Sequence, residues 1–456
     1  MATATNATST RNGLLRDLGA SQAASIVVGV VIGSGIFLVP AEMMQAAGSA
    51  RLVYLAWIVG GIFSFFGAVT YAQLGAMKPQ SGGEYVYIRD AYGPLAGFLT
   101  GWTWTVVVKP SSLAAISTGI VRVLANFPSL HFLAARVGNI PVTWGQLVAM
   151  AFVIFVSLVN YIGVRRAGNF QLAFTILKIV LIVAISALAF SAHGSWSHFA
   201  EKYSGAIGGV AGFFAALTAA LWAYDGWSDL NMVAEEVRDP ERNVPLALVG
   251  GLVMIGALYM LVNAAVQYAL PAVSVAQSSS PMSDAVHASF LGAGAAIVVS
   301  AAMVISLTSS LNGVAMSGSR MAFALARDGN FFSSLAKVHP RFRTPHVATV
   351  WQAILSICFL LIGGNFRQLF TLAIFAEWLS YMAASSSLFV FRNKGIGPDR
   401  RPSYWQYPLA PALFILASAA LLYYTFISNL RYSAMGSLII LAGIPVYYGF
   451  ALRRRS

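Results

Sequence analysis

Three consecutive residues near the start of the chain, Gly33, Ser34 and Gly35, could bind an anion. They interrupt a long apolar run, and glycine lets backbone N–H groups turn out of helical hydrogen bonding without a Cβ clash. The helix that resumes after them would present its positive N-terminal end, which suits a carboxylate. Small residues also allow close helix packing, and composition alone favours neither explanation over the other.

A second interruption, at residues 221–227, could bind a cation. Unwound carbonyls of Leu221, Trp222 and Ala223 could accept hydrogen bonds from an ammonium group, and Trp222 could close over the substrate as a gate. A lone tryptophan is more often a lipid-facing or core residue. Asp225 has no comparable structural explanation, because a carboxylate at mid-membrane depth is costly and marks a functional site. Because the chain has two such interruptions, at residues 33–35 and 221–227, we interpret both as parts of a binding site.

A lysine within an apolar run, Lys178, could supply a fixed positive charge. It lies about two turns inside its run, which is marginal for reaching the interface. It would either replace a bound cation or titrate. The eighth run carries hydroxyls, among them Ser309 and Ser310, which could ligate sodium, pair with Lys178 or cap their own backbone. A sodium ion beside a lysine is electrostatically unfavourable, so we expect no sodium coupling.

A dense group of charges follows the second interruption and includes Glu235, Glu236 and Arg242. Charge at a helix end is usually a solvated face, and that explanation is favoured on charge alone. The alternative is an ion-pair network that holds an inner gate shut.

These residues lie in a chain that is 58% hydrophobic and 9% charged, against roughly 25% charged residues in a soluble domain. A surface with so few charges requires the lipid bilayer as its partner. A membrane-spanning helix needs about 20 apolar residues, and the sequence has about twelve such runs. The eighth is long, so we expect its cytoplasmic end to emerge as a surface helix. The runs lie near residues 18–46, 51–77, 94–125, 143–163, 169–191, 207–236, 244–270, 288–326, 346–364, 366–391, 408–429 and 433–451.

The net charge of +13 is distributed over short gaps between the runs, not over one face or tail, which argues against nucleic acid as a partner. Of the 28 Lys and Arg residues, 20 lie in gaps on the N-terminal side of the membrane and six in the opposite gaps. Because cytoplasmic loops are enriched in Lys and Arg, both termini are predicted to be cytoplasmic.

The two interrupted runs are the first of residues 18–191 and the first of residues 207–391. Paired interruptions in corresponding positions indicate an all-α transporter with inverted repeats and a binding site near the membrane midplane. Residues 408–451 add two further helices, and residues 1–17 are predicted to be a disordered cytoplasmic tail.

Motifs of enzymes are missing from the sequence: it has no phosphate loop, no HExxH and no GxSxG. None of the six histidines has metal spacing with another ligand, so we expect neither a metal nor a cofactor. The one cysteine, Cys358, excludes an intramolecular disulfide.

Together, these motifs resemble the L-type amino acid transporter family, within the amino acid–polyamine–organocation superfamily. The resemblance extends from about Leu18 to Arg392. It implies two five-helix inverted repeats plus two extra helices, and sodium-independent transport, commonly by obligatory exchange. The segments that carry it are residues 31–37, 109–112, 221–227, 242–245 and 311–313, with Lys178, Asn231, Glu235, Glu236, Ser319 and Arg320.

The resemblance also implies roles for individual residues. Ser34 and Gly35 would bind the α-carboxylate of an amino acid, Trp222 would be the gating aromatic, and Lys178 would stand where sodium-coupled relatives hold their ion. The carbonyls that would bind the α-amino group belong to Val31, Trp222, Ala223 and Asp225.

Two departures from the family pattern affect these expectations. Asp225 stands where many neutral-selective members have glycine and where members that carry cationic substrates can have aspartate, so neutral and cationic specificity both stay open. Animal members joined to a glycoprotein heavy chain use a cysteine in the loop after the third span, and residues 125–143 contain none. We therefore expect no disulfide-linked heavy chain, as suits a bacterial inner-membrane protein.

The predicted function is sodium-independent transport of amino acids by alternating access, with exchange of neutral L-amino acids as the first expectation. Exchange of cationic amino acids and proton-coupled symport through Lys178 are the alternatives. A receptor that binds an amino acid without moving it is disfavoured, because residues 1–17 and 452–456 are too short for a signalling domain.

Overall fold

A computed structural model describes residues 13–362, 366–397, 403–428 and 430–453. The described residues form helices joined by short connections, with three isolated bridges and no β-strand. The helices are α1 (Ala20–Val31), α2 (Gly35–Ala47), α3 (Ala50–Met77), α4 (Glu84–Tyr92), α5 (Pro94–Thr103), α6 (Lys109–Leu124), α7 (Trp144–Tyr161), α8 (Val164–Phe190), α9 (Gly209–Ala223), α10 (Asp229–Met232), α11 (Pro240–Ala269), α12 (Ala272–Gln277), α13 (Pro281–His287), α14 (Ala295–Arg327), α15 (His346–Ile362), α16 (Phe366–Asn393), α17 (Ala410–Ser428) and α18 (Leu430–Arg453).

Eight continuous helical segments of the described chain are long and apolar enough to cross a bilayer. The pair α1 and α2, which meet at a bend of 41°, makes a ninth candidate. The other three predicted runs coincide with α9, α15 and α16. The prediction of an all-helical, multi-pass membrane protein is confirmed at this level.

The eighth run differs from its prediction at both ends. Its helix, α14, begins at Ala295, and every residue from Ser306 to Ala326 is buried. The expectation of a surface helix at its end is therefore wrong. The physical reason is packing, because α14 runs through the middle of the bundle against α1, α6, α8 and α15.

The first predicted interruption is a break between α1 and α2. Helix α1 ends at Val31, and α2 begins at Gly35 with Ser34 as its N-cap residue. On one side of the break α1 packs against α8, α11 and α14, and on the other side α2 packs against α9 and α12. The break therefore divides a single predicted run between two sets of neighbours.

The second predicted interruption lies between α9 and α10. Helix α9 ends at Ala223 and α10 begins at Asp229. Gly226 has φ of 106°, and a Cβ there would lie 2.7 Å from a methyl carbon of Val30. Glycine is thus required both by the left-handed backbone and by contact with the end of α1.

The tail predicted over residues 1–17 falls largely on residues 1–12, which lie outside the described residues. Its last residue is held in place. The N–H groups of Asp17 and Leu18 donate to the carbonyl of Glu236 at 3.0 and 2.9 Å, and the Asp17 carboxylate pairs with Arg238 at 2.8 Å. We call this end of the bundle the Leu18 side.

The close approach of α9 to α2 generates a stability prediction. A Cβ at Gly212 would lie 2.2 Å from the backbone oxygen of Ala46, which cannot rotate away. We expect Gly212→Ala to cost about 1–3 kcal/mol through overpacking and to lower the midpoint of thermal unfolding in detergent.

Gly250→Ala is the matched control, because a Cβ at Gly250 in α11 meets nothing within 4 Å. It shares the gain in helix propensity of about 1 kcal/mol without the clash. Equal unfolding midpoints for the two variants would contradict tight α9–α2 packing.

Candidate functional site

A cavity of about 130 Å³ lies between the two helix breaks. Seven of the eight predicted substrate-binding residues line it. The exception is Leu221, which is 4% exposed and packs in the core from α9. The residues that line the cavity from the breaks are Val31, Gly33, Ser34 and Gly35 from the first and Trp222, Ala223, Asp225 and Gly226 from the second.

One wall of the cavity is the N-terminal end of α2. The side chain of Ser34 makes no capping hydrogen bond to the helix, so the N–H groups of the first turn depend on other acceptors. A Cβ at Gly35 would lie 3.4 Å from the ring of Trp222. The tryptophan ring therefore lies against the start of α2.

A tyrosine that the sequence analysis missed joins the two breaks. The hydroxyl of Tyr259, on α11, lies 2.7 Å from the carbonyl oxygen of Ala223 and 3.2 Å from that of Val31. Because a hydroxyl has one hydrogen, it donates to one of these carbonyls at a time. No sequence signal separates this tyrosine from the others, since its role comes from its position opposite both breaks.

Lys178 is fully buried against the first break. Its ammonium donates to the carbonyl oxygens of Gly29 at 2.9 Å, Ile32 at 2.6 Å and Ser306 at 3.0 Å. These three bonds use all three hydrogens of an ammonium group. A positive charge therefore occupies the position between α1 and α14 where three backbone oxygens converge.

Of the two serines predicted to accompany Lys178, only Ser310 contacts the same group of oxygens. Its hydroxyl donates to the carbonyl of Gly29 at 2.9 Å. A second serine, Ser306, also contacts these oxygens, because its hydroxyl donates to the carbonyl of Ile32 at 2.8 Å. Ser309 faces another way and lies 3.3 Å from the side-chain amide of Gln171.

Two carboxylates face the cavity, one from the second break and one from α16. Tyr381 places its hydroxyl 3.0 Å from Oδ1 of Asp225 and 2.9 Å from Oε1 of Glu377, both of which line the cavity. The sequence analysis did not single out Glu377. The rule that identified Asp225, that an acid inside an apolar run marks a functional site, applies to it equally.

A buried ion pair closes the cavity beside these acids. The ammonium of Lys109 pairs with the carboxylate of Asp229, and the other carboxylate oxygen accepts a hydrogen bond from Ser317 at 2.7 Å. A π-helical turn from Trp104 to Val108 separates α5 from α6 and immediately precedes the lysine. Within the described ranges, His, Cys, Asp and Glu side chains form no group of three or more that could hold a metal ion.

The charges on the Leu18 side form ion pairs, which the sequence analysis gave as the alternative to a solvated face, but with different cations. The favoured expectation of a solvated face is wrong for Glu236, because α14 covers it. Glu236 is fully buried and binds Arg320 through two hydrogen bonds of 2.6 and 3.1 Å, and Glu235 pairs with Arg327 at 2.8 Å. Arg242 is exposed and, in the part of the chain that the structure describes, forms no ion pair with either glutamate. The arginines that pair with the two glutamates therefore come from α14, because the end of that helix lies next to both acids.

Comparison with known proteins identifies the family. Residues 18–451 match the family model described as amino acid permease. The chain belongs to the amino acid permease family. This membership confirms the resemblance to amino acid transporters predicted from the motifs, and it agrees with the prediction that the chain is not an enzyme.

Several characterised proteins are similar to the permease over most of their length. The serine/threonine exchanger SteT of Bacillus subtilis is 31% identical, over 98% of this chain and 99% of that protein. The human b(0,+)-type amino acid transporter 1 is 32% identical, over 83% of this chain and 76% of that protein. The human cystine/glutamate transporter is 28% identical, over 94% and 84% respectively.

The contacts of Lys178 generate a prediction for the permease. Replacing it with alanine removes three hydrogen bonds from a charged donor to buried carbonyls, each worth about 1.5–3 kcal/mol, and leaves the carbonyls of Gly29 and Ile32 with serine hydroxyls as their remaining side-chain donors. We expect Lys178→Ala to lower amino acid uptake into proteoliposomes at least about tenfold, because α1 loses the contact that fixes its break.

Lys202→Ala is the control, because Lys202 is exposed and outside the helices. Size-exclusion chromatography of both variants separates loss of transport from loss of folding. Wild-type uptake by a monodisperse Lys178→Ala protein would show that the lysine has no role in transport.

Proposed function

We propose that the permease exchanges amino acids across the membrane by alternating access, with the substrate held between its two helix breaks. The observation that carries the proposal is the opposition of these breaks across one cavity, which brings the N-terminal end of α2 close to carbonyl groups at the ends of α1 and α9. An amino acid has the complementary pair of charges on adjacent groups. The names of the relatives, an exchanger and several amino acid transporters, support the same class of activity.

The α-carboxylate of the substrate is assigned to the start of α2. There the N–H groups of Ser34 and Gly35, for which the helix itself supplies no acceptor, and the positive end of the helix favour an anion. Gly33 leaves the approach open, since a Cβ at this residue would find its nearest neighbour, the hydroxyl of Ser310, at 3.8 Å.

The α-ammonium group is assigned to the carbonyls at the ends of α1 and α9. Those of Val31 and Ala223 already converge on the Tyr259 hydroxyl, and a carbonyl oxygen has a second lone pair for the substrate. The carbonyls of Trp222 and Asp225 belong to the same turn. Trp222 gates the site, because its ring must move for a bulky side chain to pass over α2.

Sodium independence is proposed from the occupancy of the oxygens near the first break. The carbonyls of Gly29, Ile32 and Ser306 all accept from Lys178, so a cation built into the chain takes the place of a dissolved one. The same geometry disfavours proton coupling through this residue, because a neutral amine would point its lone pair at one of the carbonyl oxygens.

The wider architecture is proposed to be twelve spans: two inverted five-helix repeats at residues 18–191 and 207–391, and two additional helices at residues 408–451. The proposal is supported by the position of the two breaks, in the first helix of each repeat. The excess of Lys and Arg on one side supports a location of both termini in the cytoplasm. A bacterial inner membrane is proposed as well, because the loop after the third span lacks the cysteine of animal members joined to a heavy chain.

The permease is proposed to work without a disulfide-linked heavy chain. The loop between α6 and α7 contains no cysteine, and Cys358 lies within α15 instead. The pairs Glu236–Arg320 and Glu235–Arg327 are proposed to hold the inner gate, because they join the segment after α10 to the end of α14 on the Leu18 side.

Uptake into proteoliposomes with and without internal amino acid tests the proposal. We expect labelled alanine uptake to rise at least about tenfold when the vesicles contain unlabelled substrate, because an exchanger turns its site back to the outside only with a substrate bound. Replacing sodium with choline should leave the rate unchanged. Competition by all common amino acids then defines the substrate class, with neutral amino acids as the first expectation.

Protein-free vesicles are the control for leak. Strong uptake into empty proteoliposomes driven by a pH gradient would contradict obligatory exchange and establish proton symport. Measurable binding without counterflow would instead indicate a receptor.

A further inference from the structure

A second cavity, of about 290 Å³, lies between α3 and α11, away from the proposed substrate site. Both helices are long and apolar enough to cross a bilayer, and the cavity is lined in part by Ile58, Ile62 and Val253, whose side chains are exposed. The cavity therefore opens toward the surface that the bilayer covers. An engineered cavity of roughly 150 Å³ binds one benzene molecule, so this one can hold an apolar molecule with two rings.

The hydroxyl of Tyr224 is a polar group in this cavity. The tyrosine is 2% exposed, and within the described part of the chain its hydroxyl forms no hydrogen bond. A Cβ at Gly61 would lie 3.0 Å from the hydroxyl oxygen, and one at Gly256 would lie 3.6 Å from it. The hydroxyl thus points into the gap that these two glycines leave between α3 and α11. Because a buried hydroxyl without a partner is costly, this gap is a candidate binding site.

A second hydrogen-bond donor in the wall of the cavity also has no partner. The indole N–H of Trp57, on α3, is buried and unpaired among the described residues. The ring of Trp57 packs edge-on against that of Tyr224, with centroids 5.7 Å apart. An indole N–H can only donate, and a tyrosine hydroxyl can donate as well. All other described side chains of the lining are apolar, so the complementary ligand is an apolar molecule with an acceptor oxygen.

The depth of the hydroxyl narrows the choice of ligand. Gly61 is 11 residues from the first residue of α3, Ala50, and Gly256 is 13 residues from the last residue of α11, Ala269. The nearer helix end is therefore about 16–20 Å away, which is about half the thickness of the hydrocarbon layer or slightly more. A phospholipid carries its oxygens at the edge of this layer, and its acyl chains carry none. An acceptor at this depth must belong to an apolar molecule dissolved in the bilayer.

We infer that the cavity between α3 and α11 binds an apolar ketone, a class that includes quinones, from the bilayer. The carbonyl oxygen of the ketone accepts a hydrogen bond from Tyr224, and its second lone pair remains for another donor. The site is distinct from the substrate site, because none of the described residues lines both cavities.

A ligand in this cavity acts on the second break. Tyr224 lies between Ala223 and Asp225 in the sequence, two of the residues assigned to the substrate, and its ring lies 5.1 Å from that of Tyr259, which joins the two breaks. A ketone bound to Tyr224 restrains this residue, so it slows any exchange that requires the breaks to move. This effect on exchange rests on the proposed function, whereas binding of the ketone does not.

Photolabelling with benzophenone tests the site, because this apolar two-ring ketone reacts with nearby C–H bonds under ultraviolet light. The full chain in lipid nanodiscs is irradiated with benzophenone, and the labelled residues are identified by mass spectrometry. We expect label on the residues of α3 and α11 that line the cavity. An excess of fluorenone, a ketone of similar size, should prevent labelling, whereas fluorene, which lacks the carbonyl oxygen, should not. Tyr224→Phe should lower labelling about two- to tenfold through the loss of one hydrogen bond.

Val253→Trp fills the cavity from its exposed side and should abolish labelling, which keeps the test decisive if Tyr224→Phe is not monodisperse. Met254→Trp is the matched control, because Met254 is the next residue of α11, is exposed and lies outside the lining. Equal protection by fluorene and fluorenone would show that the cavity holds hydrocarbon chains and would overturn the inference. Undiminished labelling of a monodisperse Tyr224→Phe or Val253→Trp protein would overturn it as well.

Amino acid exchange in proteoliposomes tests the effect on transport. Benzophenone in the dark should slow exchange at least about twofold in the wild type and in Met254→Trp, but not in Val253→Trp. Equal inhibition of all three proteins would contradict an action through this cavity. Wild-type protein that is labelled in the cavity but exchanges no amino acid would overturn the proposed function and leave the ketone site established.

Discussion

The break between α1 and α2 leaves backbone carbonyl groups without helical hydrogen bonds. The rest of the site depends on the side chains that donate hydrogen bonds to these carbonyls. In the interior of a membrane protein, an unpaired carbonyl costs several kcal/mol. The carbonyls of Gly29 and Ile32 obtain their partners from Lys178, with hydroxyls of Ser306 and Ser310 as further donors. With these bonds made, the first turn of α2 can remain open toward the cavity. A broken helix is therefore stable here because a neighbouring helix carries a charged donor at the right depth.

The second break uses a different solution. Its carbonyl at Ala223 is held by Tyr259, which also reaches Val31 at the end of α1. The two breaks are thus mechanically joined through one hydroxyl on α11, and Gly226 packs directly against Val30. A displacement of either break therefore changes the contacts of the other.

Much of this arrangement could be predicted from the sequence. Helix positions followed from apolar runs, and the breaks followed from glycines and from Asp225 inside such runs. The side chains that contact these residues could not be predicted in the same way. For Glu235 and Glu236, charge alone favoured a solvated face over an ion-pair network, and the nearby arginine in the sequence was Arg242. The arginines that pair with the two acids come from α14, more than 80 residues away in the sequence. Ser309 and Ser310 are adjacent, and only the rotation of α14 decides which hydroxyl reaches the carbonyl oxygen of Gly29. Glu377 could have been predicted in the same way as Asp225, because it too is an acid inside an apolar run. Nothing in the sequence around Tyr259 indicates its contacts with the two breaks.

The burial of α14 along most of its length has a consequence for how the chain tolerates change. One face of this helix places Ser306 and Ser310 at the break in α1, Ser317 at Asp229 and Arg320 at Glu236. All of these contacts depend on a single helical register. Inserting one residue between Ser310 and Ser317 would turn everything after it by about 100° and move Ser317 and Arg320 out of alignment together. The spacing along α14 is consequently less tolerant of insertions and deletions than its individual apolar positions are of substitution.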